Sequence, residues 1–204
     1  MSEEFLGHYR KQAKTSIVRT SAGEIAPSQK FSSLDAFMRS LPKDGSPTTD
    51  AFMRKKYPKL TVTPGDEAAA KAAPGARVPE ERRNVEVVCW LCDAKKEGDD
   101  DFHIIIGNAA KPTKFLNAEV SGLPPVGSPD RAQLIATRVE VQKLIGTIPS
   151  GGYLHKNPPM KVKIAGSILF DGDHSPGTIG PLTPVKHRPD TVWEIHPILS
   201  VLKA

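Results

Sequence analysis

Five short apolar runs rich in β-branched residues fill the second half of the chain, and they limit its fold more than any other feature. They are 84–92 (NVEVVCWLC), 102–107 (FHIIIG), 114–120 (KFLNAEV), 160–170 (MKVKIAGSILF) and 192–202 (VWEIHPILSVL). Each has the length and composition of a strand, and turn-forming residues separate them. One helical pattern interrupts the series, between the third and fourth runs. Ser128-Pro129-Asp130 reads as its start, with serine as the N-cap and proline in the first turn. Leu134, Ile135, Val141, Leu144 and Ile145 give it an apolar side, and Gly146 ends it. Three strands, a helix and two strands is the element order of the OB-fold, a small Greek-key barrel. Gly166, midway along the fourth run, suits the bend that barrel closure requires. The expectation is a mainly β, five-stranded OB-like barrel over residues 84–204, with an open α+β sheet as the alternative.

Residues 1–83 show no sustained period of 2 or 3.6. They carry 15 Lys/Arg against 10 Asp/Glu, whereas residues 84–204 carry 13 of each, so the whole excess of +5 lies in the first part. The stretch 61–83 is Ala, Pro, Gly and charge, too poor in apolar area to offset chain entropy, and reads as a linker. A flexible basic arm is therefore expected over 1–83. Within it, Asp35-Ala36-Phe37-Met38-Arg39 recurs as Asp50-Ala51-Phe52-Met53-Arg54. Each copy follows hydroxyl residues and precedes a proline, so each predicts a short capped helix. Such helices dock on the domain, stay frayed, or fold on a protein partner. The basic arm offers weak phosphate contacts to nucleic acid; the neutral domain, with few aromatics for stacking, does not.

The chain has no run of eighteen apolar residues, so no membrane span is expected, and its first residues do not resemble a secretory signal. With only Cys89 and Cys92, a disulfide scaffold is excluded and a reducing, cytoplasmic setting is expected.

Alternation along the strands gathers a set of acids and imidazoles. Asp99, Asp101 and His103 share a face where the second strand begins, and Glu194 and His196 share a face of the last, opposite Trp193 and Ile195. Asp171 and His174 follow the fourth strand, and Glu119 closes the third. Such groups inside a barrel must pair, bind a metal or stay wet, because an unpaired buried charge is costly. The candidate ligands of a divalent metal ion are Asp101, His103, Glu119, Asp171, His174 and His196. The candidate catalytic groups are His103, His174, Glu194, His196 and Asp171. A structural hydrogen-bond network among the same residues is the competing expectation.

Three segments carry a resemblance. They are Asp99-Asp100-Asp101-Phe102-His103-Ile104, Phe170-Asp171-Gly172-Asp173-His174, and Glu194-Ile195-His196-Pro197-Ile198. Together they resemble a small bacterial family with a D-x-D-x-H stretch, an F-x-D-x-x-H stretch and a closing E-[LI]-H-P-[VI]; the middle segment keeps Phe170, Asp171 and His174, but here Phe170 directly precedes Asp171. That family often has an Asn shortly before its closing motif, and 187–191 (HRPDT) has none. The resemblance covers about the last 120 residues. It implies the same site residues and no activity.

Lesser features complete the reading. Cys89 and Cys92 form a C-x-x-C within a strand, where odd spacing sends the thiols to opposite faces and prevents a shared metal. Trp90 and Trp193 are read as core residues, and His8, His155 and His187 as surface residues. The Gly/Pro-rich stretch 172–190 is placed to cover the polar set as a flap. The function expected is a metal-dependent hydrolase of phosphodiester or nucleotide substrates. The alternative is a non-catalytic module binding nucleic acid or a protein. Neither H-E-x-x-H nor a P-loop is present to fix the reaction.

Overall fold

The computed structural model describes residues 10–61, 75–181 and 186–204. His8 and most of the 61–83 stretch lie outside the described residues.

The protein is mainly β. Its strands are β1 (Ser28–Phe31), β2 (Asn84–Lys96), β3 (Phe102–Gly107), β4 (Phe115–Val120), β5 (Leu154–Phe170) and β6 (Trp193–Lys203). They form one mixed sheet in the order β1-β2-β3-β4-β6-β5, and β5 also pairs with β2. The pairings thus run from β2 through β3, β4, β6 and β5 back to β2, with β1 appended. β1–β2 and β4–β6 are parallel; the other pairs are antiparallel. The sheet has six strands rather than the expected five. β1 went unseen because Ser28–Phe31 is only four residues long with a single apolar side chain, Phe31.

Among the described residues there are four helices: α1 (Lys11–Lys14), α2 (Leu34–Arg39), α3 (Thr49–Lys56) and α4 (Arg131–Ile145). α2 and α3 are the two repeat copies, capped by Ser33 and Thr48, whose hydroxyls accept from Ala36 N and Ala51 N. α4 starts at Arg131 rather than Ser128. Its N-cap Asp130 makes no cap bond, because its carboxylate accepts from Ile17 N (3.0 Å) and pairs with Arg19 (2.5 Å). Ile135, expected on the apolar side, is exposed, and Thr137 and Arg138 are buried instead.

The expectation of a flexible arm does not hold for the described part of residues 1–83. Leu34, Phe37, Met53 and Leu60 join the same apolar core as Val85, Ile104 and Ile164. Buried polar contacts fasten the rest. Arg10 is fully buried against Glu81 at 2.6 Å, and Arg77 donates to Ala13 O (2.6 Å) and His196 O (2.6 Å). Asn84 donates to Val18 O and Ala26 O. These anchors are single residues without a period, which is why the segment looks unstructured in sequence.

Two irregularities shape the sheet. The β2 register slips between Leu91 and Asp93, against both β3 and β5, a bulge that re-aims the side chains beyond it. Cys89 stays in the main core while Cys92 joins a small cluster with Ile105 and Phe115. At Gly166 in β5 the pairing with β6 also slips. A Cβ there would lie 2.5 Å from Pro197 O and from Ile195 Cγ2, so only glycine lets β6 approach.

Candidate functional site

Strand parity decides where the polar residues face. Phe102, Ile104 and Ile106 of β3, Leu116, Ala118 and Val120 of β4, and Trp193 and Ile195 of β6 all belong to the apolar core. Their neighbours in sequence, His103, Asn117, Glu119, Glu194 and His196, therefore project from the opposite face. The polar set converges, but not in the barrel interior as expected. It lies on the other face of β3, β4 and β6, beneath the N-terminal segment and the loop after β5. This cover makes it dry: Asp101, Glu119, Asp171, Glu194 and His196 are each at most 2% exposed.

Register brings the groups together. His103 sits directly across from Glu119, and Asn117 across from Glu194. Asn117 Nδ2 donates to Glu119 Oε1 (2.6 Å) and Glu194 Oε2 (2.9 Å). His196 Nδ1 bonds Glu194 Oε1 at 3.0 Å; Glu119 Oε2 is equally near but off the hydrogen-bond direction. His196 Nε2 is 3.5 Å from Asp101 Oδ2. The other Asp101 oxygen accepts from Gly122 N at 2.5 Å. His103 Nε2 contacts Glu119 Oε1, with Glu97 3.6 Å from its Nδ1. His174 Nδ1 bonds Asp171 Oδ2 at 2.5 Å.

Of the predicted ligands, Asp101, Glu119 and His196 offer atoms that all lie within 4.8 Å of one another. His103 and His174 are each engaged through a ring nitrogen with a carboxylate. Three buried atoms of the close group, Asp101 Oδ2, Glu119 Oε2 and His196 Nε2, have no hydrogen-bond partner. Groups of this kind are costly to bury unsatisfied. Two carboxylate oxygens and an imidazole nitrogen, with Glu194 orienting that imidazole from its far side, are a donor set suited to a divalent cation.

Proton affinities follow from crowding. Burial disfavours the imidazolium of His196, but Glu119, Glu194 and Asp101 outweigh it and raise its pKa to about 10. For His103 burial is outweighed by Glu119 and Glu97, and its pKa rises to about 9. The Asp171 hydrogen bond raises His174 to about 9. Burial pushes Glu119 up, yet His103 and His196 prevail and hold it well below the usual carboxylate range. Burial pushes Asp101 well above that range and raises Glu194 too.

The cluster opens into a cavity of about 550 Å³, walled by Glu97 and Asp99 before β3 and by Asp173, His174 and Ile179 after β5. The described part of the 172–190 stretch thus borders the site, as expected of a flap. Its far end is tied down: His187 Nδ1 bonds Asp93 Oδ2 at 2.7 Å, and Asp190 accepts from Phe115 N at 2.8 Å. The other Asp93 oxygen takes His155 Nδ1 at 2.5 Å. His155 and His187, expected at the surface without partners, are therefore a pair bridged by a buried carboxylate. The bulge in β2 turns Asp93 toward them, and no sequence pattern announced it.

Other contributors were also missed. Asn117 was legible, since it is two residues from Glu119 in one strand. Lys14, Lys95 and Tyr153 line the cavity; Lys95 lies across from His103 in the β2–β3 pair, beyond the expected end of its strand, while Lys14 and Tyr153 come from segments with no periodic link to the site. Arg138 of α4 donates to Asp100 O (2.9 Å) and Ser121 O (3.0 Å), holding both sides of the Asp101–Gly122 contact.

Comparison with protein-family models, curated proteins and solved structures gives no match for this chain. The fold and site define a mainly β protein with a buried acid and imidazole cluster, of which His103, Glu119, Asp171 and His174 line a cavity. Among the described residues, no helix is long and apolar enough to cross a membrane.

Proposed function

We propose that this protein is a metal-dependent hydrolase of phosphodiester or nucleotide substrates, built on an OB-like barrel. The observation that carries the reading is the set of three buried atoms without a hydrogen-bond partner, Asp101 Oδ2, Glu119 Oε2 and His196 Nε2, close together behind Glu119, which lines the cavity. A divalent cation would satisfy all three at once, and there it would polarise a phosphoryl oxygen or supply a hydroxide nucleophile. His174, oriented through Nδ1 by Asp171, borders the cavity and can move a proton at its other ring nitrogen. Lys14 and Lys95 are the lysines of a wall that also holds Glu97, Asp99, Glu119, Asp171 and Asp173, so a divalent cation there would also offset the acids that an anionic substrate would meet.

The fold supports the same reading by analogy. In OB-folds, ligands bind the face of the second and third strands, between the loops that follow the first and fourth. Numbered around the five-strand circuit, those strands are β3 and β4. The two loops are 97–101 and 171–192, and both border the cavity.

Titration of the purified chain with Mn²⁺ tests the proposal. At one hundred times its dissociation constant, a ligand stabilises the fold by about 2.7 kcal/mol. For a chain of this size that raises Tm by roughly 5–10 °C. Asp101→Asn and His196→Ala should each abolish the shift and the Mn²⁺-dependent hydrolysis of bis(p-nitrophenyl) phosphate. A wild-type melt unmoved by millimolar Mn²⁺, Mg²⁺ or Zn²⁺ would refute it.

A further inference from the structure

Asp101, Glu119 and Glu194 surround the His196 imidazole and Asp171 lines the same cavity as Glu119, yet of these four buried carboxylates only Asp101 and Glu119, at one end, hold an oxygen without a hydrogen-bond partner. Asp101, Glu119 and His196 form that end. Asp171 stands at the other, with His174 on one of its oxygens and Asp173 N (3.1 Å) on the other. Lys14 lines the same cavity as Glu119, Asp171 and His174. Its charge acts on all four acids, Asp171 most strongly, then Glu119, Glu194 and Asp101.

The position of Lys14 is built in. The preceding residue, Ala13, is fully buried and donates its N–H to Gly75 O at 2.8 Å. Its carbonyl accepts from Arg77 Nη2, and the same nitrogen reaches His196 O at 2.6 Å. One buried guanidinium therefore joins the backbone of the lysine segment to the backbone of the candidate ligand His196. A chance surface lysine would have no such tie.

Hydrolytic centres with this many carboxylates commonly hold two cations about 3.5–4 Å apart. We propose that Lys14 is the built-in second cation of this centre, filling beside Asp171 the position a second metal ion would take, so that the site holds a single ion. This rests on the reading that Asp101, Glu119 and His196 hold that ion. An ammonium among buried carboxylates offsets part of the charge that a second divalent ion would otherwise offset.

The test is the number of Mn²⁺ ions bound per full-length chain, measured by calorimetry and by electron paramagnetic resonance of free Mn²⁺. Wild type should bind one. Lys14→Met and Lys14→Gln, which remove the charge, should bind two, and Lys14→Arg, which keeps it, should bind one. Asp171→Asn should still bind one ion, since Asp171 serves the ammonium. Two ions in wild type, or one ion in both neutral variants, overturns the inference and leaves the proposed function standing. No ion in any protein overturns both. No ion in wild type but one in the neutral variants keeps the role of Lys14 and removes the Asp101 site. Should the neutral variants not fold, as judged by circular dichroism, Asp171→Asn decides, and loss of the single ion there refutes the inference.

Discussion

Raising the pH should tighten metal binding, and the slope is set by the crowding around His196. In the metal-free protein this imidazole is held protonated up to about pH 10 by Glu119, Glu194 and Asp101. A cation can use its Nε2 only after displacing a proton. Each ion bound between pH 6 and 8 should therefore release at least one proton. One displaced proton changes affinity tenfold per pH unit, so two units give about 100-fold, or about 2.7 kcal/mol. Asp101, whose carboxyl burial pushes well above the usual range, steepens the slope if it also loses a proton. The assay is Mn²⁺ calorimetry at several pH values, repeated in buffers of different ionisation enthalpy to count protons. Above pH 10 the affinity should level off. A dissociation constant that does not move between pH 6 and 8, with no proton released, would show that His196 is not a ligand.

Four further outcomes are expected. Without metal, stability should fall as pH rises from 6.5 toward 10. Imidazoles with raised pKa values (about 9 for His103 and His174, about 10 for His196) stabilise the fold fully below the unfolded value and lose that as they deprotonate; melts in EDTA at pH 6 and pH 9.5 check this, and equal Tm values contradict it. Gly166→Ala should cost about 1–3 kcal/mol by urea denaturation, because its Cβ would meet Pro197 O and Ile195 Cγ2 at 2.5 Å. Arg138→Met should cost roughly 1–3 kcal/mol for each buried carbonyl it leaves unpartnered, and should weaken Mn²⁺ binding by loosening the Asp101 segment; undiminished affinity would show that Asp101 is held without it. Thiol reagents should leave native Cys89 and Cys92 untouched and modify both in urea, since burial pushes Cys92 up to about 12 and Cys89 higher still.

His187→Ala bears on the loop. Removing its bond to Asp93 and its stacking on Phe115 (4.7 Å) frees the far end of the 172–190 stretch. Proteolytic cutting there should accelerate several-fold while the urea midpoint of the whole chain moves little. Unchanged cutting would mean that the remaining contacts, Asp190 with Phe115 and Arg188 and Pro189 with Gly177, hold that end.

Much of the architecture and half of the site were written in local pattern. β-branched runs marked the later strands, because a strand needs only neighbours of alternating character to declare itself. The hydroxyls of Ser33 and Thr48 marked two helix starts, because a cap is satisfied within three residues. Spacing of two placed Asp101 with His103 and Glu194 with His196, because side chains on a strand alternate strictly. What local pattern could not supply is what covers a face. The alternation at His196 says that it opposes Ile195; it does not say which of the two sides holds the apolar core. Only the packing of the Ala13 segment, tied through Arg77 to the backbone of His196, covered the polar side and brought Lys14 to it. Those anchors act one residue at a time across separations of tens of residues, so they leave no period to read. The bulge beyond Leu91 that turns Asp93 toward His155 and His187 is of the same kind. Sequence determined the later strands, the capped helices and which residues share a strand face; tertiary contact decided which face is dry, and therefore where the chemistry sits.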